Sequence, residues 1–585
     1  MYMNRVGSSA PPANGLGEQQ GKLLARIQDF FSVERIVLAF ASLVLVVLVV
    51  YPVLWLILGS LGVPRTFTFD YVGEILTESE YIQPLLNTLW LGFLVAAFTV
   101  LMGVPMAWAV CRTDMPWRKF LRSAPAVAFL TAPYLSALAY IMLLGPNAGL
   151  LSRAIKSLTG AEEVPIPIFG IPGVVFVISC HLFPYAFFLT SSSLESMDAS
   201  LEESAQILGA SRLKVMLRVT LPLVAPAITS AALLAFVASI ALFGPQAFLG
   251  LPERVYFLPT KIFTLLMVYP PRYAEASGLG IGIILLTALA LYFQRSFLER
   301  KSYVVLSGKG TRPSRVKLGP WKYVLLAYSL MIIVLAVVLP YSVLIVAAFS
   351  KQWLAGPSLD NLTLKWFPFV FIHEQRASRA IVNSFLLATG VATVTTLLGL
   401  LIAFIDLRTT IRGRRILDYL SIVPLGVPGI VLAVGLLQAW IRSPIPIYST
   451  IWIIFIAYMT RYIPLSVRSA NTALRQVDPS LEEACRIAGG SWKATMQRIT
   501  MPLVKPGLLV AWTLVFVPSL LELNTSILLY TQGTEVISVM IYKLNEMGQF
   551  EAISALALVT VTFAMVVLII MRKLAGKSLE DLAGG

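Results

Sequence analysis

The sequence predicts an all-α polytopic membrane protein of about twelve transmembrane helices, built as two parallel repeats of six. Three observations predict it. Of 585 residues, 57% are hydrophobic and only 13% are charged, whereas soluble domains carry about 25% charged residues. A polar, glycine-broken segment occurs twice: LEESAQILGASRLKVMLRVTLPLVAPAI begins at Leu201, and LEEACRIAGGSWKATMQRITMPLVKPGL begins 280 positions later at Leu481. Loops dense in Lys and Arg alternate with loops poor in them.

The elements follow in chain order. Residues 1–35 form a tail whose SSAPPANGLGEQQGK stretch is too polar to build a core, so it is expected to be disordered and cytoplasmic. FASLVLVVLVVYPVLWLILGSLG (Phe40–Gly62) contains no charge. At about 1.5 Å per residue it crosses roughly 30 Å of hydrocarbon. It is too long and too far from the start for a signal h-region, so it reads as a retained first span. The first core, 36–300, then has spans near 36–60, 85–111, 122–145, 171–193, 224–247 and 277–295. A basic cytoplasmic linker, 301–320, leads to the second core, 321–573. Its spans lie near 321–349, 382–406, 416–441, 449–467, 504–530 and 551–571, and a short cytoplasmic tail, 574–585, follows.

The net charge of +15 could suggest nucleic acid. Its distribution argues for a membrane protein instead. RTDMPWRKFLR (112–122), the stretch 294–322 and DLRTTIRGRR (406–415) share one side, and the rule that basic loops stay inside makes that side cytoplasmic. Both termini and both copies of the repeated segment fall there too. Cys111, Cys180 and Cys485 have neither disulfide nor metal-ligand spacing.

The duplication is wide. Asp198–Pro226 matches Asp478–Pro506 at fifteen of twenty-nine positions. Pro184 aligns with Pro464, His181 with Arg461, and NTLWLGFLVAAFTVLMGVPMAWAVCRT with NSFLLATGVATVTTLLGLLIAFIDLRT. Six spans of offset preserve orientation, so the halves are related by an axis along the membrane normal, an arrangement that encloses a path.

Each repeated loop reads as helix, glycine turn, helix. Ser200-Leu-Glu-Glu203 and Ser480-Leu-Glu-Glu483 fit a capping box. Gly209 and Gly489 supply the left-handed residue that ends the first helix. Ser211 and Ser491 start the second, and Pro222 and Pro502 are expected to close it at the membrane. Leu201, Ala205 and Leu208 share one face, as do Leu481, Cys485 and Ala488. That face either packs on the protein's own spans or fills a groove on a soluble partner. Capping alone does not require the same Glu, Gly and Arg-x-Thr-x-Pro in both copies, and two equivalent loops suggest two equivalent partners.

Glu203-Ser-Ala-x-x-x-Gly209 ending at Leu221-Pro222, with Glu483-Ala-Cys-x-x-x-Gly489 ending at Met501-Pro502, resembles the EAA loop of binding-protein-dependent (type I) ABC importer permeases. Ser204 and Cys485 stand where alanines are usual, and Met501 where leucine is. The resemblance extends over nearly all the chain beyond residue 36 and implies two fused permease cores in a bacterial cytoplasmic membrane. It implies that Glu202, Glu203, Ala205, Gly209 and Pro222, with Glu482, Glu483, Gly489 and Pro502, couple the chain to a homodimer of cytoplasmic ATPase subunits. It further implies a periplasmic or extracellular solute-binding protein. ATP and Mg would be bound by the ATPase, and the chain itself would hold no cofactor or metal and catalyse nothing. The residues agree: Gly576-Lys577-Ser578 lacks the upstream glycine and the preceding strand of a phosphate-cradling loop.

Charged and polar side chains inside spans are costly, about 2.5–3.5 kcal/mol for a central charge. His181, Arg461, Glu522 and Asn524 are therefore the candidates for a translocation path, against a structural role in capping or pairing. Glu522, Leu523, Ser526, Leu529 and Gly533–Val536 resemble the ferric iron branch of these permeases. Branches for aminoethylphosphonate, thiamine and polyamines look similar, and the binding protein chooses the cargo. An ion-coupled secondary transporter would need several buried acids, and Glu522 has only Leu242 opposite it in the first half.

Overall fold

The structure, a computed structural model, describes residues 33–64, 67–129, 131–147, 149–160, 167–198, 200–300, 316–409 and 411–575. Most of the expected N-terminal tail, residues 301–315 of the linker and the stretch 576–585 with Gly576-Lys577-Ser578 lie outside them.

Nine helices among the described residues are long and apolar enough to cross a membrane: Val37–Ser60, Ser79–Arg112, Gly170–Ser196, Met216–Ala241, Tyr273–Gln294, Trp321–Ala348, Gln375–Arg408, Met496–Leu520 and Phe550–Ala575. The tenth predicted span is the 25-residue helix Ile451–Arg475, made less apolar by Arg461 and Arg468. The third and ninth are not the straight spans expected. Arg118–Phe129 meets Pro133–Leu144 at 97°, and Arg414–Gly426 meets Gly429–Trp440 at 112°. The cause lies in TAPY and GVPG. A residue before proline avoids the helical region, and Ala132 (ψ 137°) and Val427 (ψ 113°) are both extended.

The fifth and eleventh spans also differ from expectation. They end early, at Ala241 and Leu520, before short helices Gly244–Gly250 and Ser526–Leu529. At their loop ends, Pro222 and Pro502 do not close the loop helices as expected. The helix runs on through a widened turn, in which the Leu221 N–H reaches Met216 O and the Met501 N–H reaches Met496 O. Proline has no N–H and its ring crowds the carbonyl four residues back, and a π turn just before it absorbs the misfit. The same device precedes Pro52 and Pro340, at 46–50 and 334–338, so it is part of the repeat.

Within each half the 34-residue helix is the hub. Ser79–Arg112 packs on Gly170–Ser196 and Leu221–Ala241, and Gln375–Arg408 on Ile451–Arg475 and Met501–Leu520. Gly103 and Gly399 permit close approach of the hub to its partner. A Cβ on Gly103 would lie 2.7 Å from Phe183 O, and one on Gly399 2.8 Å from the Ser466 backbone. Small residues let backbones touch where lipid offers no hydrophobic drive.

The leading spans are exchanged between halves. Tyr51–Ser60 packs on Gly429–Trp440, with Tyr51 OH donating to Ala439 O (2.9 Å). Reciprocally, Leu339–Ala348 packs on Pro133–Leu144, and Tyr140 OH donates to Leu335 O (2.6 Å).

Candidate functional site

The two loops are tethered identically. Asp478 caps helix Pro479–Ile487, taking the Ser480 N–H at 2.9 Å, and Asp198 takes the Ser200 N–H at 2.9 Å. An aspartate is as good a cap as serine. The expected capping box is therefore replaced, because the carboxylate two residues earlier takes up the Ser200 and Ser480 backbone N–H that the box would give to Glu203 and Glu483. Those bonds hold both aspartates below the usual carboxylate range. The turn is as expected. Gly209 and Gly489 have φ of +84° and +81°, and Ser211 and Ser491 hydroxyls accept from Lys214 N and Ala494 N.

The paired glutamates separate. Glu202 and Glu482 point inward and are buried. Glu202 accepts from Thr220 Oγ1 (2.6 Å) and faces Arg112 at 3.6 Å, and Arg112 donates to the Leu194 (2.8 Å) and Met197 (3.3 Å) carbonyls. In the second copy Glu482 accepts from Thr500 Oγ1 (3.0 Å) and meets Arg408 at 3.4 Å, which donates to the Leu474 (3.2 Å) and Val477 (2.7 Å) carbonyls. Each tether locks the loop onto the ends of three spans. Sequence reasoning missed Arg112 and Arg408, although both close the aligned segments CRT and LRT.

Glu203 and Glu483 point outward and are exposed. So is most of the apolar face: Ile207 is 85% exposed, Leu208 87% and Ile487 87%, with Leu201 and Leu481 about half exposed at 48% and 46%. Ala205 and Cys485 are half-buried. The face does not pack on the protein's own spans.

A second cluster lies where the broken helices meet. Asn524 Oδ1 accepts from the Phe243 N–H (2.9 Å), joining the break after the fifth span to the break after the eleventh. Asn524 Nδ2 donates to Glu522 Oε1 (3.2 Å), which also accepts from Thr525 N (3.1 Å) and Thr525 Oγ1 (3.2 Å). Tyr462 OH donates to Oε2 at 2.5 Å. Glu522 is buried, with no cation within ion-pair distance among the described residues. The carboxyl group is held by these donors and lies at the start of helix Gly429–Trp440, where a Cβ on Gly429 would lie 3.2 Å from Oε1. A helix N-terminus favours a carboxylate.

Beside this cluster is a cavity of about 170 Å³ between the halves. Tyr185, Leu234, Ala241 and Thr287 line it from the first half, and Pro428 and Arg461 from the second. Arg461 donates to Val427 O (2.6 Å) at the bend of the ninth span. His181 does not line it. Its ring packs edge-on against Phe129 (6.2 Å), while Tyr185, one turn on, reaches the cavity. Thus Arg461 alone of the four candidates lines this cavity. Glu522 and Asn524 brace its surroundings. Among the described residues no three His, Cys, Asp or Glu side chains converge as metal ligands.

The family of binding-protein-dependent transport system inner membrane components matches residues 93–303 and 395–579, one match per half, and each includes one tethered loop. The chain belongs to that family. This inner membrane component is 26% identical over 555 residues to the ferric transport system permease protein FbpB of Actinobacillus pleuropneumoniae, covering 92% of this chain and 78% of that one. It is 25% identical over 410 residues to the Fe(3+)-transport system permease protein FbpB 2 of Haemophilus influenzae, covering 69% and 77%. It is also 25% identical over 237 residues to the spermidine/putrescine transport system permease protein PotC of Escherichia coli K12, covering 40% and 88%. The permease is thus a two-core, multi-pass subunit of a binding-protein-dependent importer, and its relatives are transport proteins, not enzymes.

Proposed function

We propose that this permease carries ferric iron across the bacterial cytoplasmic membrane, driven by a homodimer of a separate ATPase subunit. The observation that carries the cargo is the extent of similarity to ferric transport permeases, which reaches 92% of the chain. The exposed loops support the coupling. Each offers Glu203 or Glu483 and a strip of bare apolar side chains over a rigid tether, the form of an amphipathic helix seated in a groove. ATP and Mg bind the partner. The two ATPase subunits close, the loops at 198–222 and 478–502 follow, and the halves rock about their shared axis toward a loaded binding protein outside. Nucleotide and binding protein bias two states of one structure. The distribution of basic residues supports placing both termini and both loops on the cytoplasmic side.

The test is uptake of radioactive ferric iron in cells lacking the protein, carrying it, or carrying Glu203→Arg with Glu483→Arg. Uptake restored only by the intact protein is expected. Equal uptake in the intact protein and the double variant removes the coupling role. Equal uptake in all three removes the ferric cargo.

A further inference from the structure

The cavity between the halves has a charge that the importer reading does not account for. Arg461 is the charged residue among those lining it. One guanidinium nitrogen donates to Val427 O (2.6 Å), and among the described residues the side chain makes no other hydrogen bond and no ion pair. A cation at membrane depth is costly and ordinarily paired. The carboxylate of Glu522 does not serve, because among the described residues it forms no ion pair with Arg461 and accepts instead from Tyr462, Asn524 and Thr525. The remaining lining is apolar apart from the Tyr185 and Thr287 hydroxyls and backbone. Thr287 donates across the halves to Gly426 O (2.8 Å). At about 170 Å³ the space is over ten times the about 10–15 Å³ that one water needs.

Such a wall repels a bare trivalent cation or a polyamine and attracts an oxyanion. Arginine presents a planar fork of donors that matches carboxylate and phosphate oxygens. We infer that Arg461 and the inter-half cavity form a subsite for an oxyanion, so that the cargo crosses as an anion-bearing species: a ferric ion with phosphate-type oxyanion ligands still attached, not a stripped ion. The inference rests on the importer reading above but not on iron. An oxyanion could arrive as a ligand of ferric ion or as a free phosphonate-type solute.

Two measurements separate these. The first is retention of radioactive phosphate at millimolar concentration by the purified permease in lipid nanodiscs, without partners. The intact protein should retain it. Arg461→Gln should weaken retention about 10- to 100-fold, as expected for losing a charged hydrogen-bond partner, and Arg461→Lys should keep part of it. No retention by the intact protein overturns the subsite, whatever happens to the variants. The second is uptake into proteoliposomes holding permease and ATPase, with binding protein loaded with doubly labelled ferric phosphate. Iron and phosphate entering together, both lost in Arg461→Gln, is the expected result. Iron entering without phosphate and independently of Arg461 overturns the inference. Phosphate retention with no iron entry removes the ferric cargo but upholds the subsite, and points to a free oxyanion such as aminoethylphosphonate.

Discussion

Glu202→Gln tests whether the inner glutamate, and not the outer one, holds the loop. Glu202 and Arg112 are both buried and stand 3.6 Å apart. At an effective dielectric of about 20 their attraction is about 4.6 kcal/mol, and removing one partner of a buried pair costs about 3–5 kcal/mol. Arg112 keeps two carbonyl partners and residue 202 can still accept from Thr220, so the lower figure applies, about 3 kcal/mol. Helix Ser200–Ile207 has only two turns and cannot stand alone. The cost therefore appears as local opening, which amide hydrogen exchange reads directly. Exchange at 201–208 in the purified permease should quicken about 10²-fold in Glu202→Gln. Glu203→Gln, an exposed change, should alter it less than about threefold. If the two variants exchange alike, or Glu203→Gln loosens the loop more, the tether has been assigned to the wrong residue.

Other outcomes follow from the same geometry. Gly399→Ala should cost about 1–3 kcal/mol by forcing its helix off Ser466, while Gly282→Ala, with nothing within 4 Å, should leave the melting temperature unchanged apart from a small helix-propensity gain. Gly489→Ala meets no atom within 4 Å, so its cost is that of the left-handed backbone alone, about 1–2 kcal/mol, read as faster exchange at 481–490. Glu522→Gln turns an amide donor toward existing donors and should cost about 1–3 kcal/mol, measured as a lower melting temperature with the protein still in the membrane. The Asp198 and Asp478 caps have lowered carboxyl values. Their contribution is complete above the ordinary aspartate value of about 3.9 and is lost as pH falls through the lowered one, so loop exchange, corrected for intrinsic rate, should be flat from about pH 5 upward.

Much of the site was legible because it is written twice. Two aligned copies expose Glu203 and Glu483, Gly209 and Gly489, and the second-helix caps Ser211 and Ser491, and the structure puts each at its turn or surface. The capping-box pattern does not show the observed cap, because Asp198 and Asp478 lie two residues before the serine that opens it. Pro222 and Pro502 were read as stops, although a π turn lets a helix pass a proline when packing rewards continuity. The bends at Ala132 and Val427 were hidden because hydropathy does not see a direction change inside an apolar run.

The amino-acid sequence by itself determined the membrane class, the two six-span repeats and the pair of loops, because these depend on local quantities: apolar length and spacing within a turn. Tertiary structure alone decided which glutamate of each pair faces Arg112 or Arg408 and which faces outward. It alone decided that the leading spans are exchanged, that Asn524 bonds Phe243 across the halves, and that Arg461 meets a cavity while His181 meets Phe129. These are contacts between residues up to several hundred positions apart. Their identity depends on helix rotation and crossing, which the packing of small residues such as Gly103 and Gly399 sets once the whole bundle assembles.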